Sequence, residues 1–343
     1  MRLSNLFFKM AGIAVLLGSL VGGWLVMDYR HFVDSPLPVQ PAGYRLLIPG
    51  GASFKRVTAG LARDGVLAHP LYLRWLAAFE GDTEAVKAGE YLLQPGTTPR
   101  GLLKQVVSGA VLQYSLTVVE GWTFGQLLDA LRQQDAIRHT LAGAGPGDIM
   151  ARLGHPGEHP EGRFMPDTYR FPRGTTDVAF LGRAYEAMRM HLEEEWRRRD
   201  ADLPYRFPYE ALIMASIIEK ETGRPEERPE IAGVFVRRLA RHMRLQTDPT
   251  VIYGLGARFD GNLTRKDLAR DTLYNTYMHT GLPPTPIALP GLASLRAALH
   301  PAPGEDLYFV SRDDGSHVFS STLEAHNRAV RRYQIDVTPA AAK

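Results

Sequence analysis

Two stretches decide the architecture: "LLIPGGASFKRVTAGL" (residues 46–61) and "LTVVEGWTFGQLLDAL" (residues 116–131). Each reads as a short apolar strand, a glycine turn and a hydroxyl N-cap, followed by a helix whose apolar positions recur at helical spacing. Val118 falls over Ile48, Gly121 over Gly51, Thr123 over Ser53, Phe124 over Phe54 and Leu131 over Leu61. A second pair, "EYLLQPGTT" (90–98) and "TYRFPRGTT" (168–176), aligns Tyr91 with Tyr169 and Gly96 with Gly174. With the apolar helix "PLYLRWLAAF" (70–79) and the helix carrying Leu102, Leu103 and Val106, the first copy is a strand, helix, helix, strand, helix unit. The pattern predicts an internal duplication at a spacing of 70–78 residues. The second copy departs at "EGRFMPDTY" (161–169), which suits either a cleft lining or a packed loop.

Upstream, residues 10–27 read "MAGIAVLLGSLVGGWLVM" without a charge. As a helix they span roughly 27 Å at about 1.5 Å per residue, enough for a bilayer core. Trp24 and Tyr29 stand where interfacial anchors belong, and bulky Trp24 to Met27 occupy the place of a small-residue cleavage site. An uncleaved anchor is therefore expected. Arg2 and Lys9 precede it, whereas Asp28 offsets Arg30 after it, which places the first nine residues in the cytoplasm and the rest beyond the membrane. Residues 33–43, rich in proline, read as a short spacer.

The 343 residues leave room for several domains, and their net charge of +3 lacks the concentration that nucleic-acid binding needs. The absence of cysteine excludes disulfides, thiolate metal sites and a cysteine nucleophile. HExxH, Walker A, nucleophile-elbow and dinucleotide motifs are missing too, so no metal or cofactor is expected.

Chemistry concentrates in "YEALIMASIIEKETG" (209–223), an apolar helix ending in two glutamates. Positions 212, 215, 216 and 219 form one stripe, so Glu219 points inward beside small residues. Desolvation and the negative end of the helix dipole would both favour its protonated form, which general-acid catalysis requires. Pairing with one of the arginines of "RPEERPEIAGVFVRRLARHMR" is the structural alternative. Glu221, two residues on, faces elsewhere and reads as a poor second carboxyl. Gln246, Thr247 and Asp248 of "LQTDPTVIYG", with Asn275 and Tyr277 of "YNTY", are candidate sugar contacts; capping and turn formation are the alternatives for each.

The run of residues 215–256, continuing through "LYNTYMHTGLPPTPIALPGLASLRAALHPAPGEDLYFV" to "HVFSSTLEAHNRAV" and including "EGRFMPDTYRFPRGTT", resembles the MltG-type (YceG-like) endolytic murein transglycosylases. The resemblance implies an α+β architecture: the transmembrane helix at 10–27, a LysM-like module at 44–112, a related second module at 113–204 and a catalytic region at 205–338. It implies Glu219 as the acid/base that cuts the MurNAc-β-1,4-GlcNAc bond and leaves 1,6-anhydro-MurNAc ends. Peptidoglycan strands are the implied substrate, the inner membrane with a periplasmic C-terminal domain the location, and peptidoglycan synthases the candidate partners. A hydrolysing muramidase in which Asp248 or Glu221 directs water, and a non-catalytic glycan-binding scaffold, are the competing readings.

Overall fold

The structure, a computed structural model, describes residues 2–312 and 314–335. Met1 and the expected end of the catalytic region at residue 338 lie outside the described residues. Contacts divide the chain into two units: Met1–Tyr114 with Arg170–Gly174, and Ser115–Tyr169 with the chain from Thr175 onward. Most of the segment expected as a second module (113–204) thus shares a compact unit with the segment expected to be catalytic, while Gln113, Tyr114 and Arg170–Gly174 fall in the first unit.

In the first unit, β1 (Tyr44–Ile48) pairs antiparallel with β2 (Gly89–Leu93), setting Leu46 opposite Tyr91. Three helices complete it: α2 (Phe54–Arg63), α3 (Pro70–Glu80) and α4 (Pro99–Ser108). Ser53 caps α2 by accepting from the Arg56 N–H, and Thr98 caps α4 from the Gly101 N–H. Leu61, Leu73, Leu93, Leu102 and Leu103 fill the core.

The N-terminal helix α1 (Arg2–Asp34) contains Lys9–Asp34, the one helix among the described residues long and apolar enough to cross a membrane. It runs straight into this core. Val33 is 1% exposed and Leu37 6%, and the Leu37 N–H donates to the Thr97 carbonyl at 2.8 Å. Residues expected to act as a spacer instead pack on the first unit: Pro36 and Pro38 keep the chain extended, and Leu37 between them docks, as does Val33 before them.

The order recurs further along the chain. β3 (Gln113–Thr117) pairs with β5 (Thr168–Pro172), and α5 (Phe124–Arg132), α6 (Pro146–Arg152) and α7 (Asp177–Arg198) take the places of the three helices. The short strands β4 (Ile137–Arg138) and β6 (Thr175–Thr176) pair in parallel. Equivalences reach single bonds: the Tyr91 hydroxyl donates to the Lys87 carbonyl at 2.8 Å, and that of Tyr169 to the Met165 carbonyl at 2.7 Å, each four residues back. Gly51 and Gly121 share φ near +75°, the left-handed turn that glycine adopts without a Cβ penalty.

After α7, α8 (Pro208–Glu221) is packed by α7, α9 (Arg228–Ala240), α10 (Asp248–Leu255) and α12 (Leu292–Leu299). Every residue of α8 from Ala211 to Ile218 is buried, as in a helix enclosed on all sides. The short helix α11 (Arg265–Leu268) precedes α12; the antiparallel hairpin β7 (Tyr308–Ser311) and β8 (His317–Ser320), then α13 (Leu323–Val330), follow it.

The segment 161–169 is a packed connection. The Glu161 carboxylate accepts from the Phe124 N–H and the Tyr253 hydroxyl, and Phe164 is fully buried. Gly162 has φ +78°, and a Cβ there would stand 2.5 Å from Pro286 Cβ. Gly162→Ala should therefore cost about 2–4 kcal/mol, whereas Gly143→Ala, also at positive φ but with nothing nearby, should cost about 1 kcal/mol. Urea unfolding of the two variants checks the difference.

Candidate active site

The end of α8 carries both glutamates, and the structure sends them to different surroundings. Glu219 points inward as its stripe requires, but hydrogen-bond donors surround it there. Its side chain is 5% exposed, and its oxygens accept from the Arg228 guanidinium at 3.3 Å, the Gly291 N–H at 3.0 Å and the Ser294 hydroxyl at 2.7 Å. These donors replace the water that burial removes. Arg228 is also 3.7 Å from Glu120, whose carboxyl burial and the Glu219 charge push upward. The turn of the second repeat closes over this network: the Gly121 N–H donates to the Leu289 carbonyl at 2.9 Å, the Leu289 N–H to the Trp122 carbonyl at 2.7 Å, and Lys220 Nζ to the Gly121 carbonyl at 3.3 Å.

Glu221, the last residue of α8, turns the other way. It stands in a cavity of about 500 Å³, together with Arg238, Gln246, Asp248, Tyr277 and His317. Burial pushes its carboxyl up to about 7, and the neighbouring Asp248 charge adds to the effect; the Thr247 hydroxyl and the Arg238 charge oppose it. This environment matches the one expected for Glu219 from the helix alone.

The loop from α9 to α10 brings the polar residues to the cavity. Gln246 adopts φ +54°, an uncommon conformation for a residue with a Cβ. It is held there by its N–H on the Thr276 carbonyl and by the Thr247 N–H on the Thr276 hydroxyl. Tyr277 donates its hydroxyl to Asp248 at 2.6 Å. Of the expected sugar contacts, Gln246, Asp248 and Tyr277 thus line the cavity and Thr247 bonds Glu221.

Asn275 does not line it. Its side-chain amide is buried, donates to the Leu268 and Arg270 carbonyls and accepts from the Tyr277 N–H at 2.9 Å, so it shapes the loop that presents Tyr277.

Arg238, His317 and His326 were invisible as site residues in the sequence. The Arg238 guanidinium is buried, lies over the Tyr308 ring and donates to the Leu245 and Leu307 carbonyls at 2.7 and 2.6 Å. Burial pushes it below its ordinary range. His317 bonds Glu227 at 2.7 Å, and His326 stacks on Tyr308. Their only sequence signal was membership of the long run ending in "HVFSSTLEAHNRAV". No group of three or more metal-binding side chains occurs among the described residues.

An N-terminal apolar helix, two strand and helix units of the same order and a polar cavity lined by Glu221 and Asp248 define an α+β protein with a carboxyl-bearing site. Residues 46–332 match the YceG-like family, and the chain belongs to that family. It is 31% identical over 307 residues to an endolytic murein transglycosylase of Bacillus subtilis, covering 83% of each chain. It is 27% identical to an endolytic murein transglycosylase of Streptococcus pneumoniae, covering 91% of this chain but 62% of that relative, less than two thirds of its length. A solved YceG-like protein of Listeria monocytogenes is 30% identical with a TM-score of 0.53, covering 84% of this chain and 100% of that one.

Ionising Glu221 in its buried place costs stability. That cost is absent below about pH 4.3, the ordinary glutamate value, and grows as pH rises towards about 7. Glu221→Gln should melt higher than the parent at pH 8 and at nearly the same temperature at pH 4, as thermal unfolding at the two pH values would show.

Proposed function

We propose that this chain is an endolytic peptidoglycan lytic transglycosylase that cleaves the MurNAc-β-1,4-GlcNAc bond, with Glu221 as acid and then base. The observation carrying the residue assignment is that Glu221 reaches the cavity with its carboxyl pushed up to about 7, whereas Glu219 is committed to Arg228, Gly291 and Ser294. The relatives' names support the reaction class.

Protonated Glu221 donates to the glycosidic oxygen as its bond to the muramic acid C1 breaks. The resulting carboxylate takes the proton from the C6 hydroxyl as that oxygen attacks C1 and closes the 1,6-anhydro ring. One residue serves twice and no water is consumed, so the two carboxyls of most glycosidases are unnecessary. The Thr247 hydroxyl and the Arg238 charge stabilise the carboxylate formed midway. Gln246, Asp248 and Tyr277 offer an amide, a carboxylate and a phenol to sugar hydroxyl and acetamido groups. Asn275 and Glu219 serve as positioning residues.

The strand, helix, helix, strand order of β1, α2, α3 and β2 supports a LysM-like reading of the first unit, which implies affinity for N-acetylglucosamine-containing glycans. The helix at Lys9–Asp34 acts as an inner-membrane anchor with the remainder in the periplasm. An enzyme so placed meets strands where they are made, and peptidoglycan synthases are the partner class that this placement suits. Hydrolysis is the second reading, because Asp248 shares the cavity with Glu221.

Mass spectrometry of muropeptides tests both. Products should end in 1,6-anhydro-MurNAc; reducing ends in their place would establish the hydrolytic reading, with Asp248 directing water. Glu221→Gln should lose about 10²–10⁴-fold in rate. Glu219→Gln should keep cleavage while losing about 1–3 kcal/mol of stability through a weakened buried network. Activity should fall on the alkaline side of about pH 7, where the acid is lost. A dead Glu219→Gln beside an active Glu221→Gln would reverse the assignment.

A further inference from the structure

The last turns of α1 are locked to α3. The Tyr72 hydroxyl donates to Asp28 at 2.8 Å, and the Tyr72 ring stands 5.6 Å from that of Tyr29 and 5.5 Å from that of Phe32, both edge-on. Asp28 is the first charge after the apolar stretch, so these contacts fix the start of α3 at the level where that stretch ends. From Asp28 to Phe32 the helix rises about 6 Å, which matches the headgroup layer of about 5–7 Å on each side of a bilayer.

On the outer face of α3, Leu71 is 54% exposed and Trp75 50%. Helical side chains lean towards the N-terminus, which carries the Trp75 ring back onto Tyr72 at a centroid distance of 5.5 Å. Large exposed apolar side chains at this height, next to tyrosines, have the composition of an interfacial aromatic belt. Exposed Arg30, in the same turn of α1 as Asp28 and Phe32, suits anionic headgroups.

We infer that Leu71 and Trp75 on α3 rest in the headgroup layer of the bilayer, so that the first unit is held against the membrane by its own surface as well as by α1. This rests on the anchor reading of α1. Leu71 and Trp75 also border a cavity of about 690 Å³ in the first unit, which a glycan could enter instead.

The chain lacks cysteine, so single nitroxide labels can be introduced without removing any residue. Leu25→Cys, Leu71→Cys, Phe79→Cys and Arg63→Cys, all at exposed positions, are labelled in the full chain and reconstituted in phosphatidylcholine and phosphatidylglycerol nanodiscs. Paramagnetic resonance then compares their accessibility to oxygen and to a water-soluble nickel chelate. The label at 25 should lie among acyl chains and the label at 71 at the headgroup boundary, with 79 shallower and 63 fully aqueous. An aqueous label at 71 beside a buried label at 25 overturns the inference and leaves the anchor standing. Aqueous labels at both positions remove the anchor reading and the inference with it. A label at 71 that responds to N-acetylglucosamine oligomers but not to the bilayer assigns the face to glycan and likewise overturns the proposal.

Discussion

A carboxylate sealed from water must be met by donors, and the meeting of Glu219 with Arg228, the Gly291 N–H and the Ser294 hydroxyl organises the second unit. It ties the end of α8 to the start of α9, through Arg228, and to the start of α12, through Gly291 and Ser294. With that end fixed, Glu221 has one direction left, into the cavity. Loss of the network would cost more than one bond, because buried Arg228 would be left with only the Glu120 carboxylate, at 3.7 Å, to meet its charge.

The two strand, glycine-turn and helix units meet different surroundings. In the first copy the turn at Gly51 and Ala52 borders an open cavity. In the second, the equivalent residues Gly121 and Trp122 exchange backbone hydrogen bonds with Leu289, and Gly121 also receives Lys220. One local design, a strand, a left-handed glycine and a capped helix, therefore borders empty space in one unit and holds the end of α8 in the other.

Much of the fold was legible because local rules carry it. The caps at Ser53, Thr98 and Thr123, the repeated glycines and the tyrosines at 91 and 169 specify turns and helix starts within a few residues of chain. The docking of residues 33–37 was not legible, since a proline-rich stretch looks the same whether its leucine meets solvent or a core. The assignment of Arg170–Gly174 to the first unit was not legible either, because it depends on contacts far apart in sequence.

The sequence by itself determined the long apolar N-terminal helix, the two segments of like order, the enclosed helix and the two glutamates at its end. It also named Gln246, Thr247, Asp248, Asn275 and Tyr277, of which Gln246, Asp248 and Tyr277 line the cavity, Thr247 bonds Glu221 and Asn275 turns to the backbone. Only the tertiary structure decided which glutamate faces what. A hydrophobic stripe distinguishes inside from outside when one face of a helix is wet, but α8 is buried on every side from Ala211 to Ile218. For such a helix each direction is inward, and whether a carboxyl meets an arginine or an open cleft depends on α9, α12 and the loops that pack around it.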